Sequence, residues 1–160
     1  MERVNRILQH HTYKACLRQI YELEAGRDFC GHDMTHLLDV ARLAYIFNLE
    51  ENLQIEKERI YAAALLHDIG RHIQYLEGTP HQEAGVPIAE QILKDCGFSK
   101  EEREEILEAI SRHRDISVKK EPTLAGILYR GDKASRGCFG CRAEKACRWS
   151  DEKKNLFLKY

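Results

Sequence analysis

One short segment constrains this chain more than any other: residues 61–66 read YAAALL, and His67-Asp68 follow directly. A helix that is apolar on every side is typical of the centre of a domain. Ionisable groups at the end of such a helix are tolerated only when they are paired or bind a metal. The sequence therefore places an imidazole and a carboxylate in the core, where a chemical role is the expected reason for their presence.

The rest of the chain also favours helices, because it has only three prolines and no sustained period-two alternation. We predict an all-α bundle of about six helices in a single domain, with residues 1–136 forming the helical part and 137–160 a Cys-bearing tail packed on it. The predicted helices cover about 3–24, Asp33 (N-cap) to 48, 55–68, a segment to 96 that Pro87 either opens near Val86 or kinks, Ser99 (capping box with Glu102) to 112, and Pro122 (first turn) to 136. Residues 71–80 are predicted to be a loop, and the tail to be irregular with at most a short terminal helix.

Composition narrows the classes of function. The 160 residues carry 25 Lys and Arg against 26 Asp and Glu, so the net charge is −1. This balance argues against nucleic acid or an anionic membrane as the partner. The first residues, MERVNRILQHH, lack the apolar region of a signal peptide. We therefore expect a cytoplasmic protein.

Three segments, HLLDVARLA, AALLHDIGR and ILYRGDKASR, carry the pattern His…His-Asp…Asp. In order and helical context they resemble the HD-domain metal-dependent phosphohydrolases. The resemblance implies that His36, His67, Asp68 and Asp132 bind a divalent metal ion in the middle of the bundle. Two imidazoles and two carboxylates suit Fe, Mn, Co, Ni or Mg.

Two further histidines resemble those of dinuclear family members, namely HD-GYP phosphodiesterases and symmetrical dinucleoside-tetraphosphate hydrolases. The resemblance implies that His81 and His113 complete a second metal site and that Asp68 bridges the two ions. The chain lacks a GYP sequence and has Arg114 where HD-GYP proteins have a second histidine. Hydrolysis of cyclic di-GMP is therefore not predicted.

The predicted function is hydrolysis of a phosphate ester or anhydride, in a nucleotide or related small molecule, by attack of a metal-bound hydroxide. Asp68, Arg71 and Lys133 are the predicted catalytic residues. Arg71 and Lys133, with Arg112 and Arg136, are candidates for binding the substrate phosphate. The alternatives are a mononuclear nucleotide monophosphatase and a non-catalytic nucleotide-sensing module. The sequence identifies neither the substrate nor the oligomeric state.

Two other histidines are placed outside the site. His32 precedes the predicted helix cap and is expected to be solvated. His72 is expected in an exposed loop, and a role as general acid for the leaving oxygen is the less favoured alternative.

The cysteines form a separate pattern, Cys138-x2-Cys141-x5-Cys147, which is half of a zinc motif. Cys30 can supply the fourth ligand of a structural Zn²⁺, with Cys96 or a histidine as alternatives. An iron–sulfur cluster is less favoured here because the spacing resembles no common run. The simplest alternative is three thiols in a basic tail.

Overall fold

The computed structural model describes residues 1–160 and contains helices but no strands, which confirms the all-α prediction. Eight α-helices are present instead of about six. Their bounds are α1 Glu2–Gln9, α2 His11–Glu24, α3 Met34–Glu50, α4 Lys57–Leu66, α5 Arg71–Glu77, α6 His81–Asp95, α7 Lys100–Arg112 and α8 Leu124–Ala134.

Helix α4 forms the centre of the bundle, as its apolar sequence predicted. Residues 62–66 are at most 1% exposed. The helix packs mainly against α3 and α7, and more lightly against α1, α8 and α6. Its C-terminal end therefore delivers His67 and Asp68 into the interior. No helix combines the length and the apolar character needed to cross a membrane.

The helix caps that were predicted at Asp33 and Ser99 are both present. Asp33 Oδ1 accepts the amide of His36 at 2.9 Å, and Ser99 and Glu102 form the capping box. The start of α8 was predicted two residues too early, because the helix begins at Leu124 and its N-cap is Thr123, whose side chain accepts the Gly126 amide.

Two boundary predictions in the first half of the chain were wrong. The predicted helix 3–24 breaks at His10, whose backbone is extended and whose ring accepts the Thr12 amide. Residues 71–77 form α5 instead of a loop, bounded by Gly70 and by Gly78 in the left-handed region at φ 83°. A glycine at that position ends a helix without strain.

Helix α6 starts at His81 and includes Pro87 in its interior, so of the two alternatives for Pro87 the start near Val86 was wrong. Beginning the helix earlier places His81 in its first turn.

The tail has two short 3-10 turns, Cys138–Gly140 and Glu144–Ala146, and no terminal α-helix. Asn155 fastens it to the end of α8 by donating its side-chain amide to the carbonyls of Lys133 and Arg136, at 2.6 and 2.9 Å. These carbonyls have no partner within the helix. The tail thus packs where α8 ends.

Candidate metal centre

Six buried residues, carried by five helices or their ends, converge at the C-terminal end of α4. Each is at most 7% exposed, although all of them ionise. They are His36 in the first turn of α3, His67 and Asp68 at the end of α4, His81 at the start of α6, His113 at the end of α7 and Asp132 in α8. The structure therefore brings together all six residues that the pattern selected.

One oxygen of Asp68 faces the first group of ligands. Asp68 Oδ2 lies 3.0 Å from His67 Nε2 and 3.5 Å from His36 Nε2. Asp132 Oδ1 lies 3.6 and 3.8 Å from the same two nitrogens. The ligand atoms of His36, His67 and Asp132 all fall within 4.8 Å of one another.

The other oxygen of Asp68 faces a second group. Asp68 Oδ1 lies 3.1 Å from His81 Nε2 and 3.8 Å from His113 Nε2. These three residues also have ligand atoms within 4.8 Å of one another. Asp68 therefore lies between two sets of ligands, with one oxygen directed at each.

Hydrogen bonds at Nδ1 direct the Nε2 lone pairs into the centre. Nδ1 of His67 and of His113 lies 2.7 and 2.6 Å from the carbonyl three residues earlier, and a carbonyl can only accept. Gln74 Oε1 accepts in the same way from His81 Nδ1. His36 Nδ1 donates to Ser135 Oγ, which donates in turn to the Asp132 carbonyl. This arrangement sets the tautomer that metal-binding histidines use.

The centre contains polar atoms that nothing in the protein satisfies. His81 Nε2 and His113 Nε2 approach to 3.0 Å, although both point lone pairs at each other when neutral. His67 Nε2 and Asp68 Oδ2 are buried without a hydrogen-bond partner. Such atoms are costly unless a cation joins them. The residues therefore fit divalent metal ions.

The electrostatics favour a positive charge among neutral imidazoles. Burial lowers the pKa of His36 to about 4 and that of His113 to about 3. Burial also lowers the pKa of His67, but the charges of Asp68 and Asp132 outweigh it and raise the value overall. Burial favours a protonated Asp132, yet the charges of His67 and Lys133 keep its pKa low. Burial opposes ionisation of Asp68 too, but the charge of His67 and the hydrogen bonds of the surrounding histidines keep its pKa well below the ordinary value. Both carboxylates are thus ionised and able to bind a metal.

Three of the four predicted cationic residues lie at the centre. Arg71 Nε donates to Asp68 Oδ1 at 2.8 Å, and Lys133 Nζ bonds Asp132 Oδ2. Arg136 is buried and donates to His36 Nε2 at 3.0 Å and to the Gly31 carbonyl at 2.7 Å. Arg112 instead bonds Glu108 and Glu121 on the outside of the bundle, at 3.0 and 2.9 Å. The structure does not bring Arg112 to the centre.

The sequence interpretation missed His32, which is 4% exposed and not solvated. Its Nδ1 bonds Glu24 Oε1, and its Nε2 lies 3.8 Å from Asp68 Oδ2. Tyr75 donates to the same Glu24 oxygen at 2.6 Å. The only signal in the sequence was the spacing His32-x3-His36, because Glu24 and Tyr75 come from other helices. His72 is also buried, with its Nδ1 3.0 Å from the Ile69 carbonyl, so the exposed-loop prediction was wrong.

Of the cysteines, Cys30, Cys138 and Cys141 line one cleft beside His36 and Arg136, whereas Cys147 does not line it. All six cysteines are free thiols.

Comparisons with known proteins identify several similar chains. A family model described as "HD domain" matches residues 34–137. An uncharacterized protein of Clostridium beijerinckii is 44% identical over the full length of both chains. Ribonuclease Y of Oleidesulfovibrio alaskensis is 28% identical over 84% of this chain, which spans only 24% of that protein. The crystal structure of a predicted HD superfamily hydrolase from an uncultured Thermotogales bacterium matches 89% of this chain and 81% of its own, with a TM-score of 0.62 and 26% identity.

Proposed function

This chain belongs to the HD domain family of metal-dependent phosphohydrolases, and from that premise we propose that it uses two divalent ions to hydrolyse a phosphate ester or anhydride in a nucleotide. His36, His67 and Asp132 would hold the first ion. His81 and His113 would hold the second, and Asp68 would bridge the two. When bound, such ions lower the pKa of a water molecule and neutralise charge on a phosphoryl oxygen.

The observation that carries the two-ion proposal is the position of Asp68 between two sets of imidazole lone pairs. Its Oδ2 is 3.0 Å from His67 Nε2, and its Oδ1 is 3.1 Å from His81 Nε2. A mononuclear centre would leave the 3.0 Å approach of His81 Nε2 to His113 Nε2 without a cation to offset it. Two ions satisfy every inward-facing nitrogen of the centre.

The cationic side chains supply positive charge around the substrate phosphate. Arg71 uses Nε to hold Asp68 and keeps its two terminal nitrogens for phosphoryl oxygens. The ammonium group of Lys133 likewise bonds a carboxylate of the centre, that of Asp132. Arg136 donates to His36 Nε2, a nitrogen that we assign to the first ion, so its guanidinium would turn to the substrate when that ion is bound. These groups stabilise the negative charge that develops during attack on phosphorus.

We also assign a role to His32. Because its Nδ1 donates to the Glu24 carboxylate, its Nε2 presents a lone pair towards Asp68. A carboxylate behind an imidazole is the usual support of a metal-ligating histidine. His32 is therefore a candidate ligand on the side of the first ion.

The proposed substrates are small phosphorylated molecules of the nucleotide class. Several relatives bear the name ribonuclease Y, and this name favours a phosphodiester among the bonds to be tested. A useful panel therefore contains a dinucleotide phosphodiester, a dinucleoside polyphosphate and nucleoside monophosphates, each assayed with Mn²⁺, Fe²⁺, Co²⁺, Ni²⁺ and Mg²⁺.

The decisive experiment replaces His113 by glutamine and measures bound metal per chain together with hydrolysis of the panel. We expect loss of one of two ions and a fall in activity beyond the ~10–100-fold caused by losing a group that only orients a ligand. His11→Gln, at an exposed histidine outside the centre, is the matched control and should retain both ions and full activity.

Other outcomes would contradict the proposal in distinct ways. A single ion in the unaltered protein, with activity unaffected by His113→Gln, would indicate the mononuclear nucleotidase. A nucleotide that binds to the fully metal-loaded protein but is not hydrolysed under any of the five metals would indicate the sensing module.

A further inference from the structure

A second cluster of potential ligands lies outside the imidazole–carboxylate centre. Cys30, in the segment leading to α3, and Cys138 and Cys141, at the two ends of the first 3-10 turn of the tail, line one cleft of about 290 Å³. All three are free thiols. The fold thus gathers thiols from opposite ends of the chain at one place.

The spacing of these sulfur atoms is too wide for a single metal ion. A Zn–S bond of ~2.3 Å in a tetrahedral site puts sulfur atoms ~3.8 Å apart. The three cysteines do not form a group with all ligand atoms within 4.8 Å, although both imidazole–carboxylate groups do. A larger thiolate-bound group fits these dimensions better than the Zn²⁺ suggested by the sequence.

The cleft carries charges of both signs. Arg136 lines it, buried, and bonds the Gly31 carbonyl beside Cys30, and the carboxylates of Asp33 and Asp39 line it as well. Burial raises the pKa of the Cys30 thiol, and the guanidinium of Arg136 opposes this rise. A thiolate-bound group is negative whether it contains zinc or iron, so Arg136 would offset part of its charge in either case and the choice between the two metals rests on the spacing of the sulfur atoms.

The fourth thiolate can come only from the tail. Cys16 and Cys96 are buried in the hydrophobic core, whereas Cys147 is half-buried and follows Cys141 by six residues. The turn Glu144–Ala146 ends at Cys147, and Lys154 Nζ holds its Glu144 at 2.7 Å. Cys147 does not line the cleft, so cluster binding would have to draw this turn towards it.

We propose that Cys30, Cys138, Cys141 and Cys147 bind an iron–sulfur cluster of the four-iron type, which joins the 137–160 tail to the N-terminal end of α3. The cluster would also fix the backbone that carries Arg136, two residues before Cys138, at the edge of the imidazole–carboxylate centre. That last role rests on the proposed hydrolytic function, whereas cluster binding itself does not.

The test uses the full chain, purified without oxygen after incubation with iron and sulfide, and measures iron, zinc and acid-labile sulfide per chain. We expect about four sulfide ions per chain and visible charge-transfer absorption. Sulfide is the decisive quantity, because iron alone could come from the imidazole–carboxylate centre. Asp68→Asn should keep the sulfide, so failure of the hydrolytic proposal is separable from failure of this one.

Variants locate the cluster. Cys30→Ala and Cys141→Ala should each lose the sulfide while the helical circular dichroism persists, and Cys96→Ala is the matched control that should keep it. Because Cys141 lies in a surface turn, its replacement tests the cluster even where a buried replacement prevents folding. One zinc ion per chain without sulfide, absence of any cluster in the unaltered protein, or sulfide retained in Cys30→Ala would each overturn the proposal.

Discussion

Replacing Gly70 by alanine should damage the second half of the centre without touching a ligand. Gly70 has φ −81° and ψ 1°, a conformation that alanine adopts without strain. A Cβ at this position would lie 2.4 Å from the His81 carbonyl oxygen and 2.5 Å from the Gly85 amide nitrogen. Both obstacles are backbone atoms of α6, so no side-chain rotation can relieve the contact.

The size of the effect follows from these distances. Ordinary contact begins at 3.4 Å, so α6 must move away from Gly70 by 1.0 Å at the His81 carbonyl. His81 Nε2, now 3.1 Å from Asp68 Oδ1, would move with it. Overpacking of this kind lowers the free energy of unfolding by about 1–3 kcal/mol. A displacement of ~1 Å at a reacting centre can lower the rate by about 10²-fold.

Bound metal, kcat/KM and chemical denaturation of Gly70→Ala, measured together, test this reasoning. We expect one ion to be lost and activity to fall about 10²-fold. Gly126→Ala is the control, because its Cβ would meet the Glu121 carbonyl at 2.1 Å, away from α6. It should lose stability but retain both ions. A Gly70→Ala protein with both ions and full activity would refute the argument, as would equal metal loss in the two variants.

Two further predictions concern charged side chains. Arg136→Ala should lower kcat/KM about 10–150-fold, as expected for loss of one hydrogen bond between charged groups worth ~1.5–3 kcal/mol. The control Arg112→Ala removes only outer contacts with Glu108 and Glu121 and should change kcat/KM less than about twofold. Equal values of kcat/KM in the two variants would remove Arg136 from the substrate site. The hydrogen bonds from His32 and Tyr75 outweigh burial and lower the pKa of Glu24 to about 2 from 4.5, so ionised Glu24 stabilises the fold above pH 4.5 and this contribution disappears as the pH falls towards 2. Denaturation at a series of pH values should show Glu24→Gln less stable than the unaltered protein at pH 6 or so, with a difference that narrows on acidification; a constant difference would contradict the assignment.

Local sequence signals were sufficient where the determining residues are close in the chain. The apolar residues of α4 were sufficient to predict its burial. Asp33 predicted the start of α3, and Ser99 with Glu102 predicted the start of α7. The helix burial and the helix starts depend on periodicity and capping, which a sequence displays directly. The six ionisable residues that the fold brings together were predicted from the resemblance to the HD family.

Other features depend on contacts between distant segments and were missed for that reason. His32 is oriented by Glu24, which is held in turn by Tyr75 of α5. The existence of α5 was itself obscured, because two glycines bracket only seven helical residues. The distance between Cys30 and the tail thiols is likewise set by how the tail packs on α8, and spacing along the chain carries no information about it.

The histidines of the centre differ in whether the group that accepts the hydrogen bond from Nδ1 lies in the same helix or in another segment of the chain. His67 and His113 each lie at the end of a helix, and the Nδ1 of each donates a hydrogen bond to a carbonyl of the last turn of that helix. Such a carbonyl has no amide partner within the helix. The imidazole and the carbonyl that orients it thus lie within one four-residue segment, so a tilt of either helix leaves the imidazole in the same orientation relative to that helix. His81 depends on Gln74 of a neighbouring helix, so any sliding of α6 against α5 changes its aim. His36 depends in the same way on Ser135, which follows α8. Each proposed ion would therefore have one imidazole whose orientation depends on how neighbouring segments pack, His36 for the first ion and His81 for the second.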